Sequence, residues 1–330
     1  MTDRPRPRTR VLKADAKGIA DAAACLKRGG LVAMPTETVY GLAGDATSDR
    51  AVASIYAAKQ RPSFNPLIAH VLDLAAAACE ARFDAHAERL AEAFWPGPLT
   101  IVAPVAAGRR IAELARAGLD SVALRAPSHP VARALIKAAG VPLAAPSANL
   151  SGHVSPTRAE HVLADLDGRI ALILDAGPTQ AGLESTIIAC LGGPPRLLRH
   201  GAIAKETIEE RLGFAILVQT QARDADEKAP RGPGMLASHY APRAALRLEA
   251  LEASSDEAAL DFAGALCASG AALRLDLSPS GDLTEAAANL FAFLRTLDQS
   301  GAKTIAVAPI ATDGLGAAIN DRLRRAAAPR

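Results

Sequence analysis

The chain has 330 residues, and 37 Lys and Arg against 35 Asp and Glu leave a net charge of +2. Half of the residues are apolar, with Ala the commonest, which excludes a disordered or fibrous chain because there is ample surface to bury. No uninterrupted apolar run reaches about 18 residues, which argues against a spanning helix. The balanced charge likewise argues against a surface built to grip nucleic acid.

At roughly 100–200 residues per domain, this length predicts two domains. Cys25, Cys79, Cys190 and Cys267 form no close pair, which suits neither a disulfide framework nor a metal site and predicts a reducing, cytoplasmic setting. Residues 1–10 carry four Arg with no apolar segment behind them, and read as a solvated leader rather than a secretory signal.

In chain order, a helix over 17–27 leads into a strand at 31–34. A second helix over 50–59 places Val52, Ile55 and Tyr56 on one face. Strands follow at 67–71, 99–105, 121–125 and 141–145. A helix opens at Ser128 and Pro130 and stops before Gly140. Thr157 and Glu160 have capping-box spacing, which opens a helix toward Leu166. Further strands fit 170–174, 185–189 and 196–199. The alternation predicts an α/β fold.

Residues 219–242 show no periodicity, and Pro and Gly crowd their second half. Loops of this length in compact proteins are usually functional or disordered, so the segment reads as an interdomain linker or an ordered loop. The expected division is a domain over 1–215, a linker over 216–242 and a small α/β domain over 243–330. In the last, strands at 245–248, 273–277 and 304–309 alternate with helices at 255–268, 283–299 and 315–326, which predicts a Rossmann-like parallel sheet without a dinucleotide fingerprint.

Polar residues that are hard to explain as surface filler gather at strand ends. In PTETVYGLAGDA (35–46), Thr36, Glu37 and Thr38 follow a strand, at the edge where open α/β sheets bind ligands. In KQRPSFNPLIAH (59–70), Lys59 and Arg61 are two apart before Pro62, and in extended chain such residues point the same way, toward one anion. Asn65 sits before a second Pro. His70 lies in an apolar run, where a lone His is more often a satisfied core residue than a ligand. PSANLSGHVSPT (146–157) places Ser147 and Asn149 two apart in a hydroxyl-rich loop, of the kind that offers donors to phosphate, although turn chemistry alone can require the same residues. Arg125, Ser185 and Arg199 sit at further strand ends, and several Arg on one sheet edge suggest a cleft for a polyanion and a carboxylate. P-loop, zinc and nucleophile-elbow motifs are absent from the sequence.

The ordered set PTETVYGL, KQRPSFNPLIAHV, FWPGPLTIV, VALRAPSHP, PSANLSGHVSPT, ESTII and LLRHGAI closely resembles the threonylcarbamoyl-AMP synthase family, whose core is a YrdC-like domain. The segment RGPGMLASHYAP and the α/β tail resemble the family's long, two-domain form. The resemblance implies a twisted open mixed sheet and a reaction of ATP, L-threonine and bicarbonate, with Mg2+ accompanying ATP. The product, threonylcarbamoyl-adenylate, would be consumed by a separate tRNA threonylcarbamoyl transferase at position 37 of tRNAs reading ANN codons. It implies catalytic roles for Lys59, Arg61, Ser147 and Asn149. Nucleotide contacts would add Asn65, Ser121, Ser155, Arg199, Arg231, His239 and Tyr240. Threonine contacts would be Thr38, His70, Arg125, Ala145 and Ser185, with Arg125 pairing the carboxylate. No side-chain metal site is implied. The linker would close over the cleft. Ser121 departs from the Thr more common at that place and keeps the hydroxyl. Two other readings stand beside this one: a carbamoyl-transfer maturation factor, which should add zinc-binding Cys pairs, and a double-stranded RNA-binding module, with weak RNA binding left open.

Overall fold

The computed structural model describes residues 8–219 and 239–329. The chain opens with β1 (Arg10–Lys13), α1 (Ala16–Lys27), β2 (Val32–Met34), β3 (Gly41–Asp45), α2 (Asp49–Lys59) and β4 (Ile68–His70). It continues through α3 (Leu74–Ala78), α4 (Ala85–Phe94), β5 (Leu99–Pro104), β6 (Ser121–Arg125), α5 (Pro130–Ala139) and β7 (Leu143–Ala144). Then come α6 (Ala159–Leu166), β8 (Leu172–Asp175), β9 (Thr186–Ala189), β10 (Arg196–Arg199), α7 (Lys205–Leu212) and β11 (Leu217–Val218). These eleven strands form one mixed sheet in the order β1-β8-β2-β3-β7-β4-β6-β5-β9-β10-β11.

Helices cover both faces, which is why so many strands are apolar throughout. On one face α1 and α5 pack through Ala22, Ala23, Leu26, Ala132, Leu135 and Ala139, where small side chains let helix and sheet approach closely. On the other, Val52 and Ile55 of α2, Leu90 of α4, Val162 of α6 and Ile208 of α7 close a larger core. Local chemistry sets the helix ends. Asp15 accepts from the Gly18 amide at 2.8 Å, Pro130 opens α5, and Gly140 at φ 77° ends it.

The second domain contains β12 (Ala245–Arg247), β13 (Ala258–Asp261), β14 (Leu273–Asp276), α8 (Leu283–Gln299), β15 (Thr304–Val307) and α9 (Leu315–Ala327). Its four strands are all parallel, in the order β12-β15-β13-β14. Val39, Val154 and Leu183 of the first domain share one apolar core with Leu290 and Phe291 of α8 and Leu323 of α9. The two domains are therefore joined by hydrophobic burial. Among the described residues, no helix is long and apolar enough to cross a membrane.

Several expectations need correction. Residues 255–268, read as a helix, form the buried strand β13 followed by turns: Ala-rich sequence fits either state, and burial on both faces decides for the strand. The end of the expected leader is structural. Thr9 is buried, its amide donates to Asp167 Oδ1 at 3.0 Å, and Arg10 begins β1; residues 1–7 lie outside the described residues. The capping box does not form: α6 starts after Arg158, and the Thr157 amide donates to His161 Nδ1 at 3.3 Å instead. The segment 41–45, where no strand was expected, is the interior strand β3. Helices α3, α4 and α7 were not anticipated, and β11 forms from residues assigned to the linker.

Gly182 marks a close approach of the two domains. It has φ 69°, and a Cβ there would lie 2.3 Å from Ala287 O and 2.5 Å from Ala288 Cα on α8. Gly182→Ala is expected to destabilise the protein by about 1–3 kcal/mol through overpacking and backbone strain. Urea unfolding measures this, and an unchanged midpoint would show that α8 simply moves aside.

Candidate active site

The carboxyl ends of β4 and β6, the β7 loop and the start of β9 surround a cleft, roofed by His239 and Tyr240. The register explains the convergence. β4 and β6 are parallel, with His70 opposite Arg125, so both side chains leave the sheet at one edge. β7 runs antiparallel to β4 and delivers Ala145 and Ser147 to the same place.

One end of the cleft is built on Arg125, which is 4 % exposed. Its Nη1 donates to Thr38 Oγ1 at 2.9 Å, its Nη2 lies 2.7 Å from Glu37 Oε1, and its Nε donates to Gly97 O at 3.3 Å. Burial alone would raise the Glu37 carboxyl, but the charge and hydrogen bonding of Arg125 bring it below its ordinary value. Thr36 and Thr38 share a hydroxyl–hydroxyl bond of 2.8 Å, which fixes the turn that presents them. His70 lines this end. Burial, then Arg125, pushes its pKa down to about 3, and its Nδ1 is a buried atom without a hydrogen-bond partner. It is a neutral imidazole facing the cleft.

The other end is cationic. Gln60 ends α2 in the left-handed conformation, at φ 53°, so the chain reverses between Lys59 and Arg61. That reversal, rather than extended geometry, sets how the two cations lie. Lys59 is 1 % exposed, and its Nζ donates to Ser147 O at 2.5 Å and to Asn149 O at 2.6 Å. It supports the loop from beneath and is outside the cleft lining. Burial, then Arg61, holds its ammonium well below the usual lysine range. Arg61 lines the cleft, with its Nε 3.4 Å from Asn65 O and its Nη2 3.3 Å from Pro66 O. Its pKa falls to about 10 through burial, which leaves it charged at neutral pH. Arg199 reaches Ser185 O at 2.9 Å and Ser185 Oγ at 3.2 Å through Nη2, while Ser185 Oγ also bonds Thr100 Oγ1 at 2.7 Å. His239 is buried among these cations. Burial first, then Arg61, Lys59, Arg199 and Arg322, keeps it neutral.

The structure therefore gathers Thr38, Arg61, His70, Arg125, Ala145, Ser147, Ser185, Arg199, His239 and Tyr240 around one cleft. Asn65, Asn149 and Ser155 are buried but outside its lining, and Asn65 leaves both of its amide atoms unpaired. Ser121 begins β6, four residues before Arg125, and is also outside the lining. Arg231 and most of the expected lid lie outside the described residues.

Two site residues were not anticipated. Glu184 lines the cleft, and its Oε1 accepts from Ser155 Oγ at 2.5 Å. Arg322 of α9 is wholly buried and pairs with Glu184 Oε2 at 2.9 Å. Glu184 is the first residue of the ESTII motif, directly before Ser185, a usable signal, whereas Arg322 sits in a helix with no motif around it.

Comparison with known proteins agrees with this architecture. Residues 24–201 match the family described as "Telomere recombination", which joins Sua5, YciO and YrdC, and residues 203–328 match "Threonylcarbamoyl-AMP synthase, C-terminal domain". The chain is 39% identical over 323 residues to the threonylcarbamoyl-AMP synthase of Pyrococcus abyssi, covering 94% of each chain. It is 50% identical over 231 residues to that of Bacillus subtilis, covering 70% of this chain and 66% of the relative. The crystal structure of P. abyssi Sua5 complexed with L-threonine superposes with a TM-score of 0.87 at 36% identity, covering 97% of this chain and 96% of that one. Fold and matches together define a two-domain α/β enzyme of the nucleotidyltransferase type. The chain belongs to the threonylcarbamoyl-AMP synthase family.

Because His70 is held near 3 in the folded protein and has an ordinary value of 6.5, the unfolded chain binds more protons between those values. Its stabilising contribution is complete above pH 6.5 and is lost as pH falls, at up to about 1.4 kcal/mol per pH unit. Urea unfolding at pH 7.5 and 5.5 should give a shallower pH dependence for His70→Asn than for the wild type. Identical slopes would mean that His70 is not held neutral.

Proposed function

We propose that the chain makes threonylcarbamoyl-adenylate and pyrophosphate from L-threonine, bicarbonate and ATP, in the cytoplasm, for the N6-threonylcarbamoyladenosine modification at position 37 of tRNAs reading ANN codons. The observation that carries this reading is the division of one cleft into two chemically different ends. Arg125, bonded to Thr38 and opposite His70 in the register, fits an amino acid's carboxylate and hydroxyl. Arg61 and Arg199, beneath neutral His239, fit a polyphosphate. The P. abyssi relative crystallised with L-threonine supports the first assignment.

In this reading Arg125 fixes the threonine carboxylate and so directs the amine into the cleft. Neutral His70 and the Thr38 hydroxyl leave the amine free of a competing anion. The amine condenses with bicarbonate, releasing water, to give an N-carboxylate. A carboxylate oxygen attacks the α-phosphorus of ATP, the bond to the β-phosphate oxygen breaks, and pyrophosphate leaves. The chain needs no covalent nucleophile: it supplies positioning and charge neutralisation. Lys59 contributes by holding the carbonyls of Ser147 and Asn149, which shapes the loop beneath the nucleotide. His239 and Tyr240 exclude water above a labile carbamate and mixed anhydride.

Mg2+ is assigned to the triphosphate, where it would neutralise phosphate charge. Among the described residues, no three His, Cys, Asp or Glu side chains come together, and Glu37 and Glu184 each face an Arg, so the ion fits as a passenger on ATP. A tRNA threonylcarbamoyl transferase is the proposed recipient of the product.

Purified protein should release pyrophosphate from ATP only when threonine and bicarbonate are both present; threonine-independent release would sink the assignment. Arg61→Ala should lower the rate about 100-fold or more, as for loss of a preorganised donor. Lys59→Met should lower it at least about tenfold through the loop, with melting curves confirming a folded protein. Near-wild-type rates in both variants would remove these cations from the mechanism.

A further inference from the structure

The reaction proposed above uses the first domain and the roof, and leaves the second domain without a part. One side chain joins that domain to the chemistry. Arg322 of α9 has no exposed surface. Its guanidinium donates to Glu184 Oε2 at 2.9 Å, to His200 O at 2.8 Å and to Asp321 Oδ2 at 2.7 Å. It also lies 5.2 Å from the centroid of the Tyr240 ring. Tyr240 has φ 65°, a strained value for a residue with a side chain, and stacks on Phe291 of α8 at 5.5 Å.

Glu184 is the reason for such a residue. Its carboxylate lines the same cleft as Arg61 and Arg199, where an unopposed negative charge would repel a polyphosphate and compete for those cations. Burial alone would raise its carboxyl, yet Arg322, Arg199 and the Ser155 hydroxyl together keep it ionised below its ordinary value. Glu184 in turn holds Ser155 by a 2.5 Å bond. The second domain thus supplies a countercharge that the first domain's own cations would otherwise have to provide.

We propose that Arg322 is a positioning residue of this active site: from the second domain it cancels the charge of Glu184, holds it against Ser155, and seats Tyr240 over the cleft, so that no unopposed carboxylate faces the nucleotide. The proposal rests on the functional reading above. An ion pair that merely fastens two domains would contribute to stability without setting nucleotide affinity, and the experiment separates the two.

ATP affinity of the full chain is measured by calorimetry, and KM and kcat by pyrophosphate release, at a temperature where melting curves show each variant folded. Arg322→Met should weaken ATP binding at least about tenfold, chiefly as KM for ATP rather than kcat, because it leaves a carboxylate unopposed beside the phosphates. Arg322→Lys keeps a charge opposite Glu184 but loses the fork that also reaches His200 and Asp321, and should fall clearly between the wild type and Arg322→Met. The double variant Arg322→Met/Glu184→Gln removes the stranded charge and should recover most of the affinity lost by Arg322→Met. The proposal is overturned if Arg322→Met binds ATP normally, if Met and Lys variants are equally impaired, or if the folded double variant stays as weak as Arg322→Met. Should Arg322→Met fail to fold, the Lys and double variants decide by the same criteria. A wild-type chain that neither binds ATP nor releases pyrophosphate overturns the functional reading itself; normal wild-type activity with an unaffected Arg322→Met overturns only the positioning role.

Discussion

Positive charge is buried here at a cost that the rest of the molecule is arranged to meet. Lys59 and Arg61 are almost without solvent contact, and their direct hydrogen-bond acceptors are backbone carbonyls: Ser147 and Asn149 for the one, Asn65 and Pro66 for the other. Neutral acceptors offset desolvation of a cation only in part. A site so built favours an incoming polyanion because that ligand supplies the missing negative charge. The antiparallel β7, the left-handed Gln60 and the roofing His239 all serve to hold cations close together while keeping water out.

The two carboxylates of the cleft obey the same logic. Glu37 is paired with Arg125 and Glu184 with Arg322, so each is fixed and neutralised. The pairings differ in reach. Glu37 and Arg125 both belong to the large sheet's edge and arise within one domain. Glu184 and Arg322 are 138 residues apart and lie in different domains, which makes the second domain a part of the site's electrostatics. Apolar burial gives the contact its strength, through Val39, Val154 and Leu183 against α8 and α9. The ion pair gives it an address.

The near-neutral net charge of the chain conceals this. Bulk composition argues against a basic surface, yet four buried Arg and one Lys, at positions 61, 125, 199, 322 and 59, give one small region a character that the average cannot register. Local field, set by burial and low dielectric, matters more to a small anion than the total count.

What the sequence determined by itself was the short-range chemistry: the α/β alternation, the ends of α5 at Pro130 and Gly140, and several polar residues at strand ends that face one cleft. These are legible because caps, turns and strand ends depend on neighbours a few residues away. Tertiary structure decided three other things. It made a strand of the Ala-rich 258–261 and of the Gly-containing 41–45, since propensities there are weak and burial on both faces outweighs them. It placed Lys59 under a loop rather than in the cleft, because a left-handed Gln60 turns the chain where spacing alone suggested extension. And it brought Arg322 to Glu184. No local pattern in a polar helix announces a partner in another domain, because long-range pairing is chosen by how the domains pack.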